Sequence, residues 1–227
     1  MKNHLKRIAA PRSWVIDRKS RTFITRPKPG AHSLDNGISL GIIIRDSLAL
    51  ASTMSEVKKL LNNQEVLVDG KRRKDHRLIV GLFDTISIPT IKKQWRVSLD
   101  KKGRLTTIDI PENESATKPC KVVGKKLLPK GKIQLNLHDG KNIITDKPIK
   151  VGETIIVTLP SLEIKEVISP VAGVAVILTN GKKSGQSGKL KSLIGNEATL
   201  EVDNQDVETA KRYLFVVGKQ KPVVTLQ

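Results

Sequence analysis

From Glu65 to Gly218 the chain is cut into short apolar runs by turn-forming residues, and this punctuation limits the fold more than any other feature. "EVLVDG" alternates Val66 and Val68 before the turn pair Asp69-Gly70, and "DTISI" (84–88) follows Gly81 and stops before Pro89. "WRVSL", the turn "DKKG" and "RLTTI" read as a hairpin. "IQLNL" puts Ile133, Leu135 and Leu137 on one face, "HDGKN" turns, and "VGETIIVTL" (151–159) supplies another strand. A strand over 174–179 enters Asn180-Gly181, and "RYLFVVG" (212–218) closes the series. Runs this short and closely spaced predict small β modules of barrel type. Aromatic residues make up 3% of the chain, so the cores are aliphatic and β-branched.

Helix is expected mainly in residues 40–64. "LGIIIRDSLALA" places Leu40, Ile43, Ile44, Leu48 and Ala51 on one helical face, with Arg45 and Asp46 away from it. After a break at "STM", Thr53 and Glu56 have capping-box spacing. The helix they start, about 54–63, buries Val57, Leu60 and Leu61 and exposes Lys58 and Lys59. The expected class is therefore α+β, mostly β, with a helix pair ahead of a small sheet. Residues 1–39 differ from the rest. They carry nine Lys/Arg against two acids and lack a long apolar period. Asn3 can cap a short helix over "HLKRIAA", ended by Pro11, and Pro27 and Pro29 forbid a second. The segment reads as an extended basic arm that orders on a partner.

The net charge of +19 sets the partner class. A surplus of that size repels itself unless a polyanion neutralises it, which points to nucleic acid and, second, to an anionic membrane surface. It is spread along the chain, with eight Lys/Arg against five acids even in residues 169–227. No apolar run reaches the 18 residues of a spanning helix. The Arg-rich, acid-poor head resembles an organelle transit peptide, but its prolines break the amphipathic helix such a peptide needs. A single cysteine, Cys120, allows no disulfide within the chain, which suits a reducing compartment.

Candidate chemistry follows the cations. "KRRK" (Lys71, Arg72, Arg73, Lys74), read as a turn between two strands, forms a positive ridge with Lys58 and Lys59, fit to follow the phosphates of folded RNA. In the head, Lys6, Arg7, Arg12, Arg18 and Arg26 neutralise phosphate, while Trp14 and Phe23 stack on unpaired bases. Gly181, Gly185 and Gly188, interleaved with Lys182 and Lys183, let backbone approach a phosphate closely, or serve only turn geometry. Their spacing is neither the dinucleotide fingerprint nor an NTPase phosphate loop. His4, His32, His76 and His138 are scattered without ligand spacing, Cys120 has no nearby His or Cys in sequence, and no acid pair or serine elbow marks catalysis. Neither metal nor cofactor is expected, and Cys120 reads as a small buried hydrophobe.

The head "HLKRIAAPRSW", continuing to "RPKPGAH", resembles the small-subunit ribosomal protein four-e family of archaea and eukaryotes. The helix pair followed by "VLVDGKRRKDHRLIVGLFDTISI" is similar to an alpha-L RNA-binding domain, "CKVVGKK" and "IQLNLHDGKNI" to the family's central domain, and "GVAVILTNGKKSGQSGKL" to a KOW motif. The alpha-L region lacks the R-L-D start of many such domains, and the KOW segment is short of aromatics. The resemblance implies a basic arm (1–39), an alpha-L domain (40–94), a central β domain (95–168) and an SH3-like KOW barrel with the C-terminal segment (169–227). It implies a non-enzymatic constituent of the cytoplasmic ribosome's small subunit, contacting ribosomal RNA and neighbouring ribosomal proteins. RNA contacts fall on Lys6, Arg7, Arg12 and Trp14, on Lys71, Arg72 and Arg73, and on Gly185 and Gly188. The alternatives are an RNA-modifying enzyme carrying an alpha-L module, a KOW-type transcription factor docking on polymerase, and an organelle protein with a transit peptide.

Overall fold

The computed structural model describes residues 3–202 and 205–226, with every side chain in them except that of Lys130. The chain divides into two compact units, one of residues 1–98 and 104–116, the other of residues 99–103 and 117–227.

In the first unit, β1 (Leu5–Lys6) pairs antiparallel with β2 (Phe23–Ile24), and the expected helix over "HLKRIAA" is a single 3-10 turn, Arg7–Ala9. Pairing of Leu5 with Ile24 takes up the backbone that a helix would have used. The head is also not a free arm. Leu105 donates its N–H to the Ser13 carbonyl at 2.7 Å, and Trp14 forms a parallel bridge with Leu105. Next, β3 (Gly37–Ser39) leads into one helical turn, α1 (Leu40–Ile42), and then a π-turn, Ile43–Ser47, whose Leu48 N–H reaches the Ile43 carbonyl at 2.9 Å. The 3.6-residue face expected here therefore stops early. Leu40, Ile42, Ile43 and Ile44 are all buried, so the run has no solvent face for a regular helix to present. The first N–H groups of α1 are satisfied from outside, Leu40 by the Leu78 carbonyl and Gly41 by that of His76.

The second helix, α2 (Met54–Asn63), forms where its cap predicts. Thr53 accepts from the Glu56 N–H, and the Glu56 carboxylate accepts from the Thr53 N–H. A bond from the Ser52 N–H, followed by those from the Thr53 hydroxyl and N–H, holds the Glu56 carboxyl below the usual carboxylate range. Val57 and Leu61 are buried, Leu60 is half-buried, and Lys58 and Lys59 face solvent. Removing the Thr53 hydroxyl orphans one helix donor, so Thr53→Ala is expected to cost about 1 kcal/mol of stability in a urea melt.

Beyond α2 come β4 (Leu67–Val68), β5 (Lys71–Arg72), β6 (Ile79–Gly81), β7 (Thr85–Ile88), β8 (Lys93–Leu99) and β9 (Leu105–Asp109). β6 pairs with β3, and the others form one sheet in the order β5-β4-β7-β8-β9. Asp69 (φ 51°) and Gly70 (φ 71°) give the paired positive φ values of a tight hairpin turn. The basic run is thus not itself the turn, because Lys71 and Arg72 pair with Val68 and Leu67 as an edge strand. Cations on an edge also discourage pairing with another chain. The hairpin β8–β9 joins this sheet through β7, so the boundary expected at 94/95 falls inside continuous pairing. An ion pair between buried Arg96 and half-buried Glu114 ties β8 to a short helix, α3 (Glu112–Ser115), within this unit.

The second unit carries two five-stranded antiparallel sheets. Its strands are β10 (Thr117–Leu127), β11 (Ile133–Leu137), β12 (Asn142–Thr145), β13 (Thr154–Thr158), β14 (Glu163–Ile168), β15 (Ala175–Leu178), β16 (Ser187–Ile194), β17 (Glu197–Val202), β18 (Gln205–Ala210) and β19 (Leu214–Gly218). The first sheet runs β12-β11-β10-β13-β14 and the second β18-β17-β16-β15-β19. β10 serves two partners: Thr117–Lys121 pair with β13, while Val122–Leu127 pair with β11 around a bulge between Val122 and Gly124 that redirects the strand. β13 lies between two cores. Ile155 and Val157 join Cys120, Val122, Leu135 and Leu137, while Ile156 joins Val176, Leu178, Leu190, Leu200 and Val216. A strand buried on both faces reads as an unbroken apolar run, which is why "TIIV" does not alternate.

Candidate nucleic-acid interface

One convergence of cations lies in the first unit. Arg7, Arg12, Arg18, Arg45 and Arg104 line an open cleft of about 640 Å³ with Val15, Ile16 and two acids, Asp17 and Asp46. The guanidinium groups differ in what they have left to give. Arg7 is buried, donates to the Asp17 carbonyl at 2.6 Å and lies 3.9 Å from Asp46. Arg18 donates to the carbonyls of Ala10 (2.7 Å) and Pro11 (2.6 Å), satisfying a head segment that has no sheet partner of its own. Arg45 grips Asp46 through two nitrogens at 2.6 and 2.8 Å, and this hydrogen bonding raises its pKa further. These three shape the wall, and exposed Arg12 holds the outward charge.

Trp14 proves to be a core residue. It is 2% exposed, and its indole N–H donates to the Gly37 carbonyl at 2.9 Å. Stacking on a base, expected from sequence, is closed to a ring packed on all sides. Phe23 is the exposed aromatic of the head, 53% exposed with His4 edge-on at 5.3 Å. Lys6 and Arg26 are exposed on the same unit.

The ridge beside α2 keeps its cations in solvent: Lys58, Lys59, Lys71, Arg72, Arg73 and Lys74 are all exposed. Arg72 reaches the Asn62 carbonyl at 3.4 Å, tying the edge strand to the end of α2. His76 reports the local field. Burial first, then the charges of Lys58, Arg77 and Lys28, push its pKa below the ordinary imidazole value against the pull of Asp75.

The glycines of the loop before β16 answer to packing. A Cβ on Gly185 would lie 1.7 Å from the Asp100 carbonyl oxygen, and one on Gly188 2.3 Å from that of Glu201. Gly185 is buried and donates its N–H to the Leu178 carbonyl, and Gly188 pairs with Val176 in the sheet. Both backbones are committed internally, so the close approach that needs glycine is made by protein and not by phosphate. Lys182 and Lys183 remain exposed.

One cluster escaped the sequence reading. Ligand atoms of Cys120, His138 and Asp139 lie within 4.8 Å of one another, although Cys120 has no histidine near it in sequence. The pairing of β10 with β11 brings them together, with the Lys121 N–H donating to His138 Nδ1 at 3.3 Å. The charge of Asp139 is already matched by the ammonium groups of Lys118 at 2.8 Å and Lys141 at 3.2 Å. The cluster is therefore built as an ion-paired core.

Fold and charge together define a strongly basic, mostly-β protein with its surplus cations held on ordered elements. Residues 1–35 match the RS4NT (NUC023) domain, and residues 91–164 match ribosomal family S4e. Small ribosomal subunit protein eS4 of Methanocella arvoryzae is 42% identical over 228 residues, covering 98% of this chain and 97% of that protein. The eS4 protein of Korarchaeum cryptofilum is 37% identical, covering 99% and 97%. The crystal structure of 30S ribosomal protein S4e from Thermoplasma acidophilum superposes with a TM-score of 0.71 at 31% identity, over 82% of this chain and 96% of that one. The chain belongs to ribosomal family S4e.

Proposed function

We propose that this protein is a structural, non-catalytic constituent of the small ribosomal subunit, working in the cytoplasmic ribosome. It binds small-subunit ribosomal RNA beside neighbouring ribosomal proteins and supports subunit assembly and translation. The near full-length identity to small-subunit proteins carries this reading. The arrangement of cations supports it, since the arginine cleft and the ridge of Lys58, Lys59 and Lys71–Lys74 are fixed on folded backbone and so can match a folded polyanion. In finer detail, the helix pair and the sheet β5-β4-β7-β8-β9 act as an alpha-L RNA-binding domain, the strands from residue 117 to 168 as the central β domain, and 169–227 as an SH3-like KOW barrel. Within the head, Lys6, Arg12, Arg26 and Phe23 meet RNA, while Arg7, Arg18 and Trp14 hold the surface that presents them. Gly185 and Gly188 shape their loop, and Lys182 and Lys183 make its contacts.

Crosslinking of the full chain in cells, followed by sequencing of the bound RNA, is expected to place the adducts on small-subunit ribosomal RNA. Adducts mainly on messenger or transfer RNA would overturn the reading. In vitro, Arg12→Ala is expected to flatten the log–log salt dependence of binding to that RNA by about 0.7–0.9, the release from one phosphate contact.

A further inference from the structure

The turn Asp100–Gly103 and the loop Asn180–Gly185 lie about eighty residues apart in sequence. Both belong to the second unit, and they meet at their backbones. The Gly185 Cα packs so closely on the Asp100 carbonyl that any Cβ would overlap it, and a Cβ on Gly103 would lie 2.7 Å from the Ser184 side chain. Gly103 (φ +71°) and Gly185 (φ +86°) both adopt the left-handed backbone that glycine enters without strain. Each piece is also braced internally. Gly103 donates to the Asp100 carbonyl at 2.9 Å, and the Lys102 N–H donates to the Asp100 carboxylate at 2.8 Å. In the loop, the Ser184 hydroxyl donates to the Thr179 carbonyl at 2.9 Å and the Gly185 N–H to that of Leu178 at 2.8 Å.

The contact sets two double-lysine tips side by side. Lys101 and Lys102 lie one and two residues from Asp100 on the turn, and Lys183 and Lys182 two and three residues from Gly185 on the loop. All four are exposed, and among the described residues no ion pair ties any of them. The loop 179–188 contains no acid, and the only carboxylate of the turn, Asp100, is engaged by its own turn's N–H. Lysines carried on two turns joined at their backbones repel one another, and the repulsion is relieved when a row of phosphates comes between them.

We infer that Lys101, Lys102, Lys182 and Lys183 form one composite grip on the phosphate backbone of RNA, assembled by the contact of Gly185 with Asp100. The inference rests on the ribosomal reading above and adds to it a site whose first half, Lys101 and Lys102, nothing in the sequence singles out. Because the tips are joined, the two pairs are coupled: with one pair gone, the RNA backbone is no longer held in place for the other.

The test is a double-mutant cycle on the full chain, with a transcript of small-subunit ribosomal RNA as probe and affinity measured across a potassium chloride series. Lys101→Ala/Lys102→Ala and Lys182→Ala/Lys183→Ala are each expected to flatten the log–log salt slope by more than about 1.4–1.8, the worth of two phosphate contacts, because the remaining pair loses its hold as well. The quadruple variant is expected to lose less affinity than the product of the two separate losses. All four positions are on the surface, so the variants keep the fold, and matching far-UV spectra and thermal midpoints check this. If the unaltered chain binds and the Lys101/Lys102 variant keeps its affinity and slope, the composite grip is wrong and the ribosomal reading stands. Strictly multiplicative losses would likewise dissolve the grip into two independent contacts. If the unaltered chain does not bind the transcript, both fall together.

Discussion

Trp14→Ala is expected to destabilise the first unit by about 3–5 kcal/mol, the usual cost of emptying a fully buried aromatic site. The ring is among the largest fully buried side chains of the described residues. Its loss has a second component. The indole N–H satisfies the Gly37 carbonyl just where the head turns into β3, and removal of the donor leaves that acceptor buried and unpaired. Trp14→Phe separates the two effects, since it keeps most of the packing and deletes the hydrogen bond. It is expected to cost about 1–3 kcal/mol. A urea titration followed by circular dichroism gives both values. Limited proteolysis adds location, because loosening of the Ser13–Leu105 contact predicts early cleavage within residues 15–22 in the alanine variant. An alanine variant as stable and protease-resistant as the parent would show that the head does not depend on the unit it packs on.

Lys118→Met is the second large change. Lys118 and Asp139 are buried, and the ammonium lies 2.8 Å from the carboxylate. Burial alone would raise the carboxyl pKa of Asp139, but the charge of Lys118, reinforced by His138 and Lys141, outweighs it and holds the group well below the usual carboxylate range. Removing Lys118 leaves a buried carboxylate without its nearest ammonium, at a cost of about 3–5 kcal/mol near neutral pH. The sign with pH follows from the depressed value. Stabilisation by the Asp139 carboxylate is complete above its unfolded pKa of about 4 and is lost as pH falls towards the lower folded value. The deficit of Lys118→Met against the parent is therefore expected to shrink as pH falls through about 4 towards 2, where the parent's own Asp139 loses the stabilisation that Lys118 gives it. Lys118→Met/Asp139→Asn should recover much of the loss at pH 7, because the pair is costly to break and far less costly to replace. Urea midpoints at pH 7 and pH 3 for the three proteins decide the matter. A deficit that does not change with pH would locate the defect in packing instead of charge.

Local grammar carried the sequence reading where a feature depends on residues close in the chain. The Thr53–Glu56 cap, the Asp69-Gly70 turn and the strand "IQLNL" each need only a few neighbours, and each forms where its spacing predicts. The reading of "LGIIIRDSLALA" went astray because a 3.6-residue face presumes a solvent side, and this run has none over its first turns. Trp14 was misjudged for a related reason. A lone aromatic in a cationic, proline-broken segment has no periodic companions, so nothing nearby shows that Gly37 and Leu105 enclose it. Cys120 and His138 meet through strand register, and the two lysine tips meet through a backbone contact between distant turns; neither has a signature in a linear string.

Net charge, its spread along the chain and the short β runs are written directly in the residues, and with them the polyanion class of partner. The availability of each cation is not. Arg7 and Arg18 spend their donors on main-chain carbonyls and Lys118 spends its charge on Asp139, while Arg12 and Lys182 face water. Composition fixes how many positive groups a chain carries, but whether one is free depends on which acceptors folding brings within hydrogen-bond reach, and most of those acceptors are ten or more residues away.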